Sequence, residues 1–175
     1  IQFCRKNPET KFKLVITGFA NDVSNLFEHE EQIMNIKKTL INSQDICCFI
    51  DEKTNLKKVN ISKNKIIIIN DWDTGGEVLI EILPMASLGL SINLRNLEGW
   101  QSLRQRNNNY IMNQVPILSA GFGLDASLND SNLGFISINK FNGSYYETIE
   151  YLEKNPKALE DLKKEIIKLN KTLLS

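Results

Sequence analysis

The sequence predicts an α/β domain, a doubly wound and mostly parallel sheet with helices on both faces. Three observations predict it. Short apolar runs with β-branched residues recur along the chain, and the length of each suits a buried strand. Between most of them lie segments whose apolar residues repeat at helical spacing. Where strand, helix and strand alternate, right-handed crossovers build an open parallel sheet covered on both sides.

In chain order, Ile1 to Lys6 reads as the end of a helix, broken by Asn7-Pro8-Glu9-Thr10. Phe12 to Ile16 is the first strand, ended by Thr17-Gly18. From about Ser24 to Ser43, Leu26, Ile33, Ile36, Leu40 and Ile41 form the apolar stripe of a helix. Ile46 to Ile50 (ICCFI) is the next strand, followed by a lysine-rich loop from Asp51 to Asn64 that reads as solvated surface. Lys65 to Asn70 (KIIIIN) is the clearest strand, because its consecutive isoleucines require cover on both faces. Asn70 to Gly76 then turns into a helix from Glu77 to Ser87, with Thr74 a candidate N-cap and Pro84 shortening or kinking its end.

Leu88 to Asn93 (LGLSIN) forms a strand, Trp100 to Gln114 a helix carrying Trp100, Leu103, Tyr110 and Ile111, and Val115 to Leu118 another strand. Phe135 to Asn139 (FISIN) is the last strand. Two helices close the chain, Ser144 to about Lys154 and Pro156 to Leu174, where Asn155-Pro156 supplies a cap followed by proline at the first helical position. The pattern is that of a Rossmann-like domain.

Composition narrows the classes of function. The 175 residues suit one domain, or one module of a larger protein, and 42% hydrophobic residues suffice for a sizeable core. Lys plus Arg equals Asp plus Glu at 21 each, which gives no electrostatic argument for nucleic acid as a partner. No apolar run approaches the roughly 20 residues that span a bilayer. Cys4, Cys47 and Cys48 have no metal-ligand spacing and read as buried reduced thiols, which implies a cytoplasmic setting. His29 is the only histidine and stands in the polar run Glu28 to Glu31, so neither a Ser–His–Asp triad nor a multi-histidine metal site is expected. The chain begins without an initiator Met inside an apparent helix, as a fragment would.

Ligands of parallel-sheet folds sit where a loop leaves the carboxyl end of a strand and enters a helix, since N–H groups there point outward with the helix dipole behind them. The loop Arg95 to Ser102 is the foremost such place. It offers the amides of Gln101 and Ser102 to an anion, with Arg106 one turn further on, although the same residues also describe an ordinary capped surface helix. Asn107, Asn108 and Asn109 are poor helix formers without an obvious local purpose. Trp72 either stacks on a base or packs as a half-buried tryptophan.

The run Ala86 to Ser91 (ASLGLS) followed by Gln105 to Leu118 (QRNNNYIMNQVPIL) resembles the C-terminal, donor-binding half of GT-B glycosyltransferases. There a strand of the type A-x-[IL]-G-L precedes a helix of the type P-x-K-x-x-E-Y-M-A-x-G-x-P-V-I. Tyr110, Ile111, Pro116 and Arg106 match its tyrosine, methionine, final proline and lysine without a gap. Asn7 to Gly18 is similar to the family's opening strand, and Ser144 to Leu174, with Leu152, Asn155 and Pro156, to its closing helices.

This resemblance implies one half of a GT-B architecture that binds a nucleotide-sugar as co-substrate. The sugar would pass to a hydroxyl of a glycan or other acceptor, held by an N-terminal domain that lies outside this chain and that could also carry any peripheral membrane association. No metal or other cofactor is implied. The donor site is expected at Gly18, Asn70, Trp72, Glu98, Gln101, Ser102, Arg106 and Asn109, while catalytic residues remain unassigned. Two glutamates common in retaining members fall at Gln101 and Asn109, and the glycine of A-x-G falls at Gln114. An Asn accepts through one oxygen where a carboxylate offers two, so the ribose grip is altered. That change favours the alternative, a non-catalytic Rossmann-like module binding a nucleotide or a partner.

Overall fold

A computed structural model describes residues 1–16, 35, 38–39, 42–43, 45–51, 65–70, 81–92, 105–123, 128 and 132–174. The expected helix from Ser24 to Ser43 falls largely outside these residues, as do the lysine-rich loop, the turn from Asp71 to Gly76 and the loop from Arg95 to Ser102. The described chain is α/β with parallel strands, and it divides into two compact units, Ile1–Ile82 and Leu83–Ser175.

In the first unit, helix α1 (Gln2–Lys6) is followed by strands β1 (Leu14–Ile16), β2 (Cys47–Asp51) and β3 (Ile66–Asn70). All pairings are parallel, in the order β1-β3-β2. The isoleucine run is thus the central strand. Adjacent residues of a strand face opposite sides, and Ile66 and Ile67 are 1% and 0% exposed, so both faces are covered as the sequence requires. Cys4, Cys47 and Ile66 form a core against which Phe3, Leu14 and Ile46 pack. Arg5 fastens α1 to the approach to β2, donating to the Ser43 hydroxyl at 3.3 Å and pairing with Asp45 at 3.5 Å.

The second unit opens on a short 3-10 turn, Leu83–Met85, which contains Pro84 and follows helical Glu81 and Ile82. Its elements are β4 (Gly89–Ser91), α2 (Gln105–Met112), β5 (Ile117–Ser119), β6 (Phe135–Ser137), a 3-10 turn at Ile138–Phe141, α3 (Tyr145–Lys154) and α4 (Pro156–Leu174). The sheet is again parallel, ordered β4-β5-β6. One continuous sheet was the expectation; among the described residues the strands form two three-stranded sheets. In the second sheet each strand is shorter than its expected run: the expected strand through Asn139 leaves the sheet after Ser137 and coils into the 3-10 turn.

Ile111, Ile117, Phe135 and Ile166 form the core between α2, the sheet and α4. Ile117, Leu118, Leu152 and Ile166 are at most 1% exposed. Burial of each such side chain contributes about 1.5–3 kcal/mol. Close packing also explains Gly134, where a Cβ would lie 2.6 Å from the Cβ of Ile166. Ser144 caps α3 by accepting from the Glu147 N–H at 3.1 Å, and Pro156 is the first residue of α4, where its missing N–H costs nothing.

Buried polar groups tie α2 to α4. The Asn170 carboxamide, 3% exposed, donates to the Ile111 carbonyl at 3.1 Å and accepts from the Gln114 side chain at 3.5 Å. Gln114 itself lies at φ 57, in the left-handed region that ends helices and favours glycine. Asn107, which the sequence leaves without a local purpose, is fully buried at 0% exposed. That position of α2 faces the interior.

Candidate functional site

The carboxyl end of the second sheet is built by a repeated feature. Each of β4, β5 and β6 ends on a serine, and the register places Ser91 beside Ser119 and Ser119 beside Ser137. Register partners in a pleated sheet share a face, so the three side chains stand in a row. They are 0%, 0% and 4% exposed. The face is the one that α2 covers, since Gly89, two residues before Ser91, lies beneath the Tyr110 ring. Tyr110 donates its hydroxyl to the Leu90 carbonyl and Tyr145 donates to the Ser91 carbonyl, each at 3.3 Å.

Beyond β5 the chain turns through Gly121 and Gly123, at φ 72 and 66. Glycine is needed at Gly121 for two reasons: the backbone is left-handed, and a Cβ would lie 2.2 Å from the Ser137 hydroxyl oxygen. The Ser119 hydroxyl accepts from the Gly121 N–H at 3.3 Å, and the Ser137 hydroxyl accepts from the Asn139 N–H at 3.0 Å. The Asn139 carboxamide donates to the Gly121 carbonyl. The turns after β5 and β6 are thereby joined by side-chain bonds to backbone. This strand end is a packed polar cluster, in which Gly121 and the three serines are buried.

Of the residues expected at the donor site, Asn109 is the one whose side chain is described. It is half-buried in α2, and its carbonyl accepts from the N–H and the carboxamide of Asn113 at 3.1 and 2.9 Å. Arg106 lies in the first turn of α2 and Asn70 ends β3, but their side chains are outside the described residues. Gly18, Trp72, Glu98, Gln101 and Ser102 also lie outside them. Asn70 belongs to the first unit, Arg106 and Asn109 to the second. The serine row, Gly121 and Asn139 were not among the expected residues. A signal for them is present in the sequence, because the runs LGLS, PILS and FIS each end on serine.

A separate groove of about 260 Å³ runs between the end of β6 and helices α3 and α4, lined by Phe135, Phe141, Tyr151, Leu162, Lys140 and Asp161 among others. The Phe141 and Tyr151 rings meet at 4.9 Å between centroids. A hydrogen bond from Lys164 holds the Asp161 carboxyl below the ordinary range. Asn109 does not line this groove.

Among the described residues no group of His, Cys, Asp and Glu could hold a metal ion, and no helix is long and apolar enough to cross a membrane. Compared with family models, characterised proteins and solved structures, the chain matches none.

Proposed function

We propose that this chain is the donor-binding domain of a GT-B glycosyltransferase, binding a nucleotide-sugar at the carboxyl ends of its parallel strands. The observation that carries the reading is the unit β4-α2-β5. Its matched residues have physical employment: Gly89 admits the Tyr110 ring, Tyr110 bonds β4, and Gln114 adopts the left-handed conformation for which the family's motif has glycine.

In this reading the amides of Gln101 and Ser102, with Arg106 one turn further on, neutralise the diphosphate as it departs. Asn109 would meet the ribose through its single carbonyl oxygen. The chain would be one Rossmann-like half of the GT-B pair. Reaction requires donor and acceptor held together, so the 175 residues alone are expected to transfer no sugar. The test is a thermal-shift and calorimetric screen against UDP-, GDP-, ADP- and CMP-sugars, since a ligand bound by the native state alone raises the midpoint. Binding of none would overturn the proposal.

Gln101 and Asn109 in place of the two glutamates favour a second reading, a module that keeps the fold and binds a nucleotide or a partner without catalysis. Binding of the free nucleotide as tightly as of its sugar conjugate would favour that reading.

A further inference from the structure

We propose that Asn142 is a modification site of this chain, an asparagine that converts spontaneously to aspartate or isoaspartate and that the fold holds back through the turn it ends. Asn142-Gly143 is the one Asn-Gly step in the sequence. The reaction needs only water and hydroxide. Hydroxide takes the proton of the Gly143 N–H, and the nitrogen attacks the Asn142 Cγ. The new N–Cγ bond closes a cyclic imide, while the Cγ–Nδ2 bond breaks and the amide leaves as ammonia. Water then opens the ring, giving aspartate where the bond to Cγ is cut and isoaspartate where the original peptide bond is cut.

Three features single out Asn142 among the described asparagines. The residue after it has no Cβ to shield the attacking nitrogen, and a Cβ built there would meet no atom within 4 Å. Asn142 is exposed, between the 3-10 turn and the Ser144 cap of α3. Among the described residues none bonds its carboxamide, whereas Asn7, Asn113, Asn139, Asn155 and Asn170 each donate theirs to a backbone carbonyl. Asn7 and Asn155 also precede proline, which has no N–H to lose.

The restraint is the turn itself. Asn142 ends it in the left-handed region at φ 53, and the Ile138 carbonyl accepts from the Gly143 N–H at 2.9 Å. The attacking nitrogen is engaged until this turn opens, so conversion follows local opening. Its products differ in consequence. Aspartate adds a negative charge just before the α3 cap, where the helix dipole favours it. Isoaspartate adds a carbon to the main chain between Asn142 and Gly143, and so disrupts the geometry that sets the Gly143 N–H on Ile138.

The experiment incubates the whole chain in neutral and in mildly alkaline buffer, native and in concentrated guanidinium chloride. Peptide mass, with fragmentation that tells isoaspartate from aspartate, follows each asparagine. Native wild type is expected to convert at Asn142 ahead of every other described asparagine, faster at the higher pH, and severalfold faster again in denaturant. Gly143→Ala is expected to slow conversion severalfold in denaturant, where its effect on the fold no longer enters and a methyl group crowds the attacking nitrogen. A native chain in which another described asparagine converts first, or in which Asn142 is intact once the denatured sample has converted fully, overturns the site. Equal native and denatured rates overturn the restraint by the turn, and an unslowed Gly143→Ala overturns the imide route.

Discussion

The ring of Tyr110 lies against Gly89 so closely that a Cβ on that glycine would stand 2.7 Å from three of its carbons. The tyrosine hydroxyl reaches on to the Leu90 carbonyl at 3.3 Å. One helix is therefore seated on one strand by a side chain that only glycine admits. Gly89→Ala is expected to destabilise the chain by about 1–3 kcal/mol, the usual result of overpacking. Tyr110→Phe, which keeps the ring, should cost about 0.5–1.5 kcal/mol. Urea denaturation of both variants measures this, and a Gly89→Ala midpoint equal to that of the wild type would mean that the ring moves aside freely.

Gln114 ends α2 at φ 57, where a side chain is strained and glycine is not. Gln114→Gly is expected to raise stability by about 0.5–1 kcal/mol, since glycine is spared most of the left-handed penalty, even with loss of its long bond to Asn170. A lower denaturation midpoint would show that this bond outweighs the backbone strain.

Asn170 contributes from the other side. Its carboxamide is buried and donates to the Ile111 carbonyl, so Asn170→Leu removes a donor from a dry contact between α2 and α4. A loss of about 1–3 kcal/mol is expected. Equal stability would mean that the added apolar burial compensates.

Burial pushes the Cys47 thiol above its ordinary range. A raised folded-state value means that the native chain holds this proton more tightly than the unfolded one. The resulting stability is complete below the unfolded thiol value, about pH 8.5, and is lost as pH rises through the folded value. Iodoacetamide labelling followed by peptide mass should therefore find Cys47 slower to react than an ordinary thiol at neutral pH. Labelling at the rate of a free thiol would contradict its protection.

For the proposed donor site, Arg106→Ala is expected to weaken nucleotide-sugar binding by about 1.5–3 kcal/mol, the range of a charge-assisted hydrogen bond. Asn109→Glu would restore a carboxylate for the ribose hydroxyls and is expected to tighten binding. An unchanged dissociation constant for Arg106→Ala would remove the phosphates from the start of this helix.

By itself the sequence determined the class of the chain and most of its elements. Consecutive isoleucines fit a strand covered on both sides, and Ile66 and Ile67 are buried on opposite faces of β3. Asn155-Pro156 marked a helix boundary because proline lacks the N–H that a first helical residue does not use. These are local consequences of periodicity, sterics and missing donors. Only the tertiary structure decided what depends on neighbours distant in the chain. Three strand-ending serines become a row only when register sets Ser91, Ser119 and Ser137 side by side. Asn107 looked like a weak point of a surface helix until packing turned it inward, and Asn139 looked like the end of a strand until the chain coiled back to Gly121. The physical reason is that the surroundings of a polar side chain are set by segments distant in the chain: Asn139 bonds the Gly121 carbonyl because the fold brings that carbonyl to it, and its own sequence neighbours do not specify which backbone that will be.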